Sequence, residues 1–140
     1  MYHLKQGRWD QLQQDAKLIR TQVFIVEQHI PEAEEWDEHD AISQHFVIYD
    51  QDQPIATARL LQNHSVGRVA VVKAYRGQGI GRMIMLEIIA YAQQQARPHL
   101  RLSSQIHAVS FYQQLGFIVQ GDEYDECGIP HIEMTMSIDR

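Results

Sequence analysis

Cysteine is almost absent from this chain, with Cys127 alone among 140 residues. No internal disulfide can form, and a lone thiol fits a reducing compartment. Long apolar runs are missing too. No stretch of 18 apolar residues occurs, which argues against a helical membrane span, and the first residues lack the apolar core of a signal peptide. A cytoplasmic protein without a membrane partner is therefore expected. Repeats, low-complexity tracts and linkers are also lacking. Residues 1–140 are expected to form one domain, long enough to bury a core and too short for a second. A net charge of −6 offers no general basic face, so nucleic acid is not an expected partner.

Two further absences are local. From Gln53 to Leu86 there is no Asp or Glu, while Arg59, Arg68, Lys73, Arg76 and Arg82 all fall inside. From Glu27 to Asp40 there is no Lys or Arg, while Glu27, Glu32, Glu34, Glu35, Asp37, Glu38 and Asp40 all do. A basic island suits a polyanionic ligand, and an acidic stretch suits a cationic one.

The basic island surrounds a distinctive turn. Val69–Val72 reads as an apolar strand, glycines follow at 77, 79 and 81, and a helix then runs from about Gly79 to Ala96. Such a turn aims free backbone N–H groups and the positive end of a helix at one point, which makes an anion site and commonly a phosphate site. It is not a P-loop, since Gly81 is followed by Arg82 and Met83 rather than Lys and Ser/Thr. It is not a dinucleotide fingerprint either, because Arg82 stands where the third glycine would be. What remains is Arg76-x-x-Gly79-x-Gly81 after a strand.

The rest of the chain alternates. Residues 2–6 read as a strand. Asp10 is a plausible N-cap for a helix carrying Leu12, Ala16, Ile19, Val23 and Val26 at helical spacing. Residues 28–41 are polar and read as loop. Strands are expected at Phe46–Tyr49, around Ala56, Ala58 and Leu60, and at Val66–Val72. In the helix after the glycine turn, Ile80, Ile84 and Ile88 form a stripe with Met83 and Tyr91, and Pro98 marks its end. A strand over Leu100–Ser103 precedes a helix from His107 to Leu115, stopped by Gly116. Phe117–Val119 and His131–Ile138 complete a mixed sheet. The fold class is α/β, of the α+β mixed-sheet kind, with helices flanking a central sheet.

A second motif lies in the last third: Gln105-x-x-Ala108-x-x-Phe111-Tyr112-x-x-Leu115-Gly116-Phe117. The two motifs together resemble those of the GNAT superfamily of acyl-CoA-dependent N-acyltransferases, with Gln105 in place of the usual Asn. Arg20–Gln28, Asp37-x-x-Asp40 and Gly128-Ile-Pro-His131 with Met134 look like the ElaA-like branch, so the resemblance spans nearly the whole chain. It implies a GNAT fold and acetyl-CoA as acyl donor, with no metal. It assigns donor binding to Val69, Ala70 and Val71 of the strand, to the turn from Arg76 through Gly77, Gln78, Gly79, Ile80 and Gly81 to Arg82, and to Gln105, Phe111 and Tyr112. Members often dimerise, so a homodimer is one expectation, although no segment declares it.

The implied reaction is direct attack of an amine on a thioester, with three requirements. The carbonyl oxygen needs a donor as charge develops on it, and a backbone N–H freed near a bulge in strand 69–72 would serve; by resemblance this is Val71. The leaving thiolate needs a proton, which a phenol supplies, and Tyr112 stands at the family's general-acid position. The ammonium acceptor must lose a proton. Glu27, expected to be partly buried with a raised pKa, is the first candidate base, followed by His131 and His107; Glu126 and Glu133 also flank the last strand.

For the acceptor, the acidic stretch 27–40 and the group Asp122, Glu123, Asp125 and Glu126 suggest an acid-lined mouth. That favours a small cationic primary amine, such as a polyamine, an aminoglycoside-like sugar or a lysine side chain. Trp36 is expected to plug the core rather than wall the site. His39 and His45 near Asp37 and Asp40 form no recognised metal pattern, and Cys127 beside Glu126 is poorly placed for an activated thiolate. Two rivals stay open: a non-catalytic acyl-CoA-binding regulatory domain, and a toxin-like acyltransferase acting on charged tRNA, against which the acidic loops count.

Overall fold

A computed structural model describes residues 2–138. Seven strands form one sheet in the order β1-β2-β3-β4-β5-β7-β6. They are β1 (Tyr2–Gly7), β2 (Gln44–Asp50), β3 (Gln53–Leu60), β4 (Ser65–Val71), β5 (His99–Gln105), β6 (Ile118–Glu126) and β7 (Ile129–Ser137). Every pairing is antiparallel except β4 with β5, which is parallel and holds for only two rungs, Ser65 with Arg101 and Val66 with Leu102. Beyond Val66 the two strands diverge. That split is the main opening in the fold.

The first helix, α1 (Trp9–Arg20), is capped differently from the sequence expectation. The backbone N–H of Arg8 donates to the Gln11 side chain at 3.0 Å, and Asp10 lies in the first turn, where a carboxylate suits the helix dipole. At Thr21 the α-helical pattern gives way to a π-helix through Glu27, closed by Gln28 N–H donating to the Val23 carbonyl at 3.1 Å. The wider coil keeps Val23 and Phe24 buried but leaves Val26 64% exposed, outside the apolar stripe it was expected to join. Residues 28–41 are not all loop. Glu32–Glu35 forms a short helix, α2, and Glu38–Ile42 a 3₁₀ turn.

The central helix α3 (Ile80–Gln94) buries Ile80, Ile84, Met85, Ile88 and Ala92. Met83, expected in the stripe, is 39% exposed, and Met85 takes the inward position. Helix α4 (Val109–Leu115) ends at Gly116 with φ +109, a conformation that favours glycine, where a Cβ would stand 3.1 Å from the Met136 methyl. Helices α1 and α3 both pack on β2, β3 and β4, so they occupy opposite faces of the sheet. Phe111 of α4 lies beside Gly81 at the start of α3, which puts α4 on the α3 face. No helix among the described residues is long and apolar enough to cross a membrane.

Candidate active site

The split between β4 and β5 opens into a cavity of about 940 Å³, bounded by the π-helix, β4, the glycine turn, α4 and the β6–β7 hairpin. Val69, Ala70 and Val71 form its β4 side. A bulge sets their orientation, since Ala58 of β3 faces both Arg68 and Val69, and Arg68 adopts φ +51. This bulge precedes the stretch where one was expected. Val71 is freed by another cause. Val72 N–H donates to the Ile55 carbonyl, so Val71 sits in the intervening non-hydrogen-bonded pair and turns its N–H and C=O away from β3, into the split.

The glycine turn closes one end. Gly77 and Gly79 have φ of +77° and +82°, and a Cβ on either would meet nothing within 4 Å. An open cradle thus faces the free N–H groups that begin the 15-residue α3. Gly81 allows a close approach, because a Cβ there would lie 3.3 Å from Phe111. Arg82 and Ile80 line the cavity, whereas Gln78 does not; its amide accepts a hydrogen bond from Tyr2 at 2.8 Å.

Arg76 is committed elsewhere. Its Nε donates to the Val71 carbonyl at 2.9 Å, and its two terminal nitrogens grip Glu27 at 2.6 and 2.7 Å. Its side chain thus ties β4 and the turn to the end of the π-helix, while Arg76 still lines the cavity with the rest of the turn. The same contact overturns the expectation for Glu27. Hydrogen bonds from Arg76 hold its carboxyl below the usual range, so it is a poorer proton acceptor than a free carboxylate.

Tyr112 is buried against Phe111 and Phe117, with ring centroids 4.9 and 5.9 Å away. Its hydroxyl has no hydrogen-bond partner among the described residues, and it lines the cavity. Burial raises its pKa to about 12. His131 lines the opposite wall, 8% exposed. Its Nδ1 lies 2.7 Å from the Ile129 carbonyl, which can only accept, so Nδ1 carries a hydrogen and Nε2 is the nitrogen that holds the lone pair when the ring is neutral. Tyr124 stacks on the His131 ring at 6.2 Å and hydrogen-bonds Ser103. His107 also lines the cavity but is exposed. Gln105 bonds Gln28 at 3.0 Å, pinning β5 to the π-helix end. Sequence reasoning gave Gln28 no role in the site, although it ends the Arg20–Gln28 segment.

These observations meet the criteria of a known family. Residues 10–138 match the Acetyltransferase (GNAT) domain. The chain belongs to the GNAT acetyltransferase family. It is 36% identical over 132 residues to the Bacillus subtilis protein YyaT, covering 90% of this chain and 89% of that one. Escherichia coli ElaA is 32% identical over 129 residues, covering 86% and 84%. The ElaA crystal structure superposes with a TM-score of 0.89, covering 98% of this chain and all of that one. An acyl-CoA N-acyltransferase from Pseudomonas aeruginosa gives the same TM-score at 29% identity, over 98% and 100% of the two chains. This GNAT domain sits in the ElaA-like branch and is an N-acetyltransferase, so a coenzyme A thioester is its expected acyl donor.

In this GNAT domain the acidic stretch does not form the expected open mouth. Arg20, 1% exposed, donates to Glu35 at 2.8 Å and to both oxygens of Asp40 at 2.8 and 3.1 Å. Arg59 binds Asp37 at 2.7 and 2.9 Å and Asp40 at 2.9 Å, and Arg68 pairs with Glu35 at 3.0 Å. Trp9 and Trp36 flank the Arg20 guanidinium at 5.5 and 5.0 Å, so Trp36 covers the ion network rather than the cavity. The Arg59 guanidinium holds the Asp37 carboxyl down at about 2. Burial pushes the His45 imidazole below its ordinary value, and its Nε2 meets the Asp40 carbonyl at 2.8 Å. Cys127 donates to Glu34 at 2.8 Å, which raises its thiol pKa, as its acidic neighbours suggested.

Proposed function

We propose that the whole chain works as one domain that transfers an acetyl group from acetyl-CoA to the primary amine of a small cationic acceptor. One observation supports this above others: Val71, Tyr112 and His131 line one cavity that ends at the glycine cradle. Pyrophosphate oxygens bind the N–H groups from Gly77 to Arg82, and the carbonyl oxygen accepts from Val71 as it gains charge. His131 Nε2 takes one proton from the ammonium, and the freed amine attacks the thioester carbon. The new N–C bond forms and the C–S bond breaks. Tyr112 gives its proton to the departing thiolate and regains one as the nitrogen sheds its second. The amide keeps the third. A buried phenol at about 12 stays protonated until the thiolate forms, which suits a donor rather than a base.

Glu27, ionised and held by Arg76, serves as a positioning residue in this reading, and exposed His107 has no assigned step. The alternative, a non-catalytic acyl-CoA-binding domain, leaves the Nε2 of His131 without a purpose. Calorimetric titration with acetyl-CoA, run beside CoA, ATP and NAD, tests the donor site. Binding confined to the coenzyme A species, with amine-dependent thiol release, is expected. Equal binding of ATP, or none of any, would refute the donor site.

A further inference from the structure

Helix α1 covers β2 to β4 on its face, while among the described residues β5, β7 and β6 have no α-helix packed there and only the π-helix end reaches β5. Side chains alternate along a strand, so the neighbours of Gln105, which reaches Gln28 on this face, are fixed: Ser103 and Arg101 on β5, and His131 and Glu133 on β7. Register pairs Gln105 with His131 and Ser103 with Glu133. His131, Glu133 and Arg101 therefore step down the sheet away from the split, each roughly 7 Å beyond the last along the strands.

A second cavity, of about 270 Å³, lies along this descent. It meets the first at the last β4–β5 rung, where Val66, Gly67, Leu102 and Ser103 line both. Its charged groups are unevenly used. The terminal nitrogens of Arg59 are committed to Asp37 and Asp40, while its buried Nε has no hydrogen-bond partner among the described residues. Glu133, half-buried, has no hydrogen bond or ion pair among the described residues. Half-buried Arg101 spends only its Nε, on the Ser65 hydroxyl at 3.0 Å, and both terminal nitrogens are left over. A free carboxylate and a free guanidinium thus share one small cavity without pairing.

We propose that this cavity holds the tail of the acceptor, and that the acceptor is an α,ω-diamino acid. The proposal rests on the acyl-transfer reading above. The ω-amine lies at His131, the α-ammonium meets Glu133, and the α-carboxylate takes the fork of Arg101, whose planar geometry suits a carboxylate. Four methylenes span roughly 7 Å, the two-residue step from His131 to Glu133, and would run along the Tyr124 ring, which stacks on His131 and hydrogen-bonds Ser103. A simple diamine would leave Arg101 facing a cation, and a simple ω-amino acid would leave Glu133 facing a carboxylate; each loses one charged contact.

The test is calorimetric titration of the CoA-loaded protein with L-lysine, cadaverine, 6-aminohexanoate and pentylamine, with thiol release from acetyl-CoA followed in parallel. L-lysine should bind roughly tenfold or more tighter than cadaverine or 6-aminohexanoate, with pentylamine weakest. Arg101→Gln should erase the advantage over cadaverine, and Glu133→Gln the advantage over 6-aminohexanoate, with acetyl-CoA affinity unchanged in both. Four equal affinities, or an order that survives both substitutions, would overturn the proposal. The two readings separate cleanly. Equal thiol release from all four amines removes the tail site and keeps acyl transfer; the expected binding order without thiol release does the reverse.

Discussion

The donor wall and the acceptor wall of the cleft are built on opposite principles. On the donor side, backbone does the binding. Gly77 and Gly79 clear space, α3 supplies free N–H groups, and the nearby side chains of Lys73 and Arg82 have no ion pair among the described residues. Behind the acceptor side, apart from Glu133 and Arg101, charged side chains are spent on one another. Arg59 and Arg68 of the basic stretch, joined by Arg20 of α1, meet Glu35, Asp37 and Asp40 from the acidic one. The two charge poles of the sequence are thus largely one neutral network. Formal charge along a chain predicts a ligand only where the folded charges have no protein partner.

If the donor wall binds through open backbone, filling it should have the largest effect. Gly79→Trp places a side chain in the cradle, at a backbone conformation that costs a non-glycine residue about 1–2 kcal/mol. Acetyl-CoA binding should vanish in a calorimetric titration while the thermal transition persists, slightly lowered. Retained binding would mean that the cradle is elsewhere.

The ion network behind the acceptor wall should break differently, through stability rather than affinity. Arg20→Met leaves Asp40 and Glu35 buried with fewer partners, and removing one member of a buried ion network costs about 3–5 kcal/mol. The melting temperature should fall on the order of 10 °C. Glu38→Gln, in the same stretch but exposed, should change stability by less than about 0.5 kcal/mol. Equal effects of the two would erase the distinction between spent and solvated acids.

That distinction marks the limit of what the sequence discloses. The turn around Gly79 and the helix carrying Tyr112 were legible because their spacing is local: glycines two apart, apolar residues three and four apart. The π-helix was not, since a run such as Val23-Phe-Ile-Val26 suits either coil and only the extra residue per turn decides which side chains go inward. Nor were α2 and the 3₁₀ turn, whose polar residues look solvated until Arg20 and Arg59 reach them from 15 to 22 residues away. Glu27 misled for the same reason. Its partner, Arg76, stands 49 residues on, and no periodicity announces it.

Tyr112→Phe sharpens the donor side from within. Loss of the hydroxyl removes the proton donor but keeps the ring between Phe111 and Phe117. Thiol release should slow ~10²–10⁴-fold while acetyl-CoA affinity stays nearly unchanged. An undiminished rate would strip Tyr112 of its role and leave it a core aromatic.

The smallest effect concerns the rim of the ion network, where the two walls can be compared by pH. Asp37 is held at about 2 by Arg59, below the ordinary value of 3.8. A carboxylate with a depressed folded-state pKa stabilises the protein fully above the unfolded value, and that contribution disappears as pH falls from about 4 toward 2. Asp37 is partly exposed, so solvent screening reduces the contribution to about 1 kcal/mol. Asp37→Asn should therefore lower the melting temperature near neutrality by a few degrees, with the gap from the unmodified chain closing as pH drops through that window. Acid unfolding followed for both chains reads the difference directly. A gap that stays constant with pH would show that Asp37 acts through its hydrogen bonds alone, without its charge.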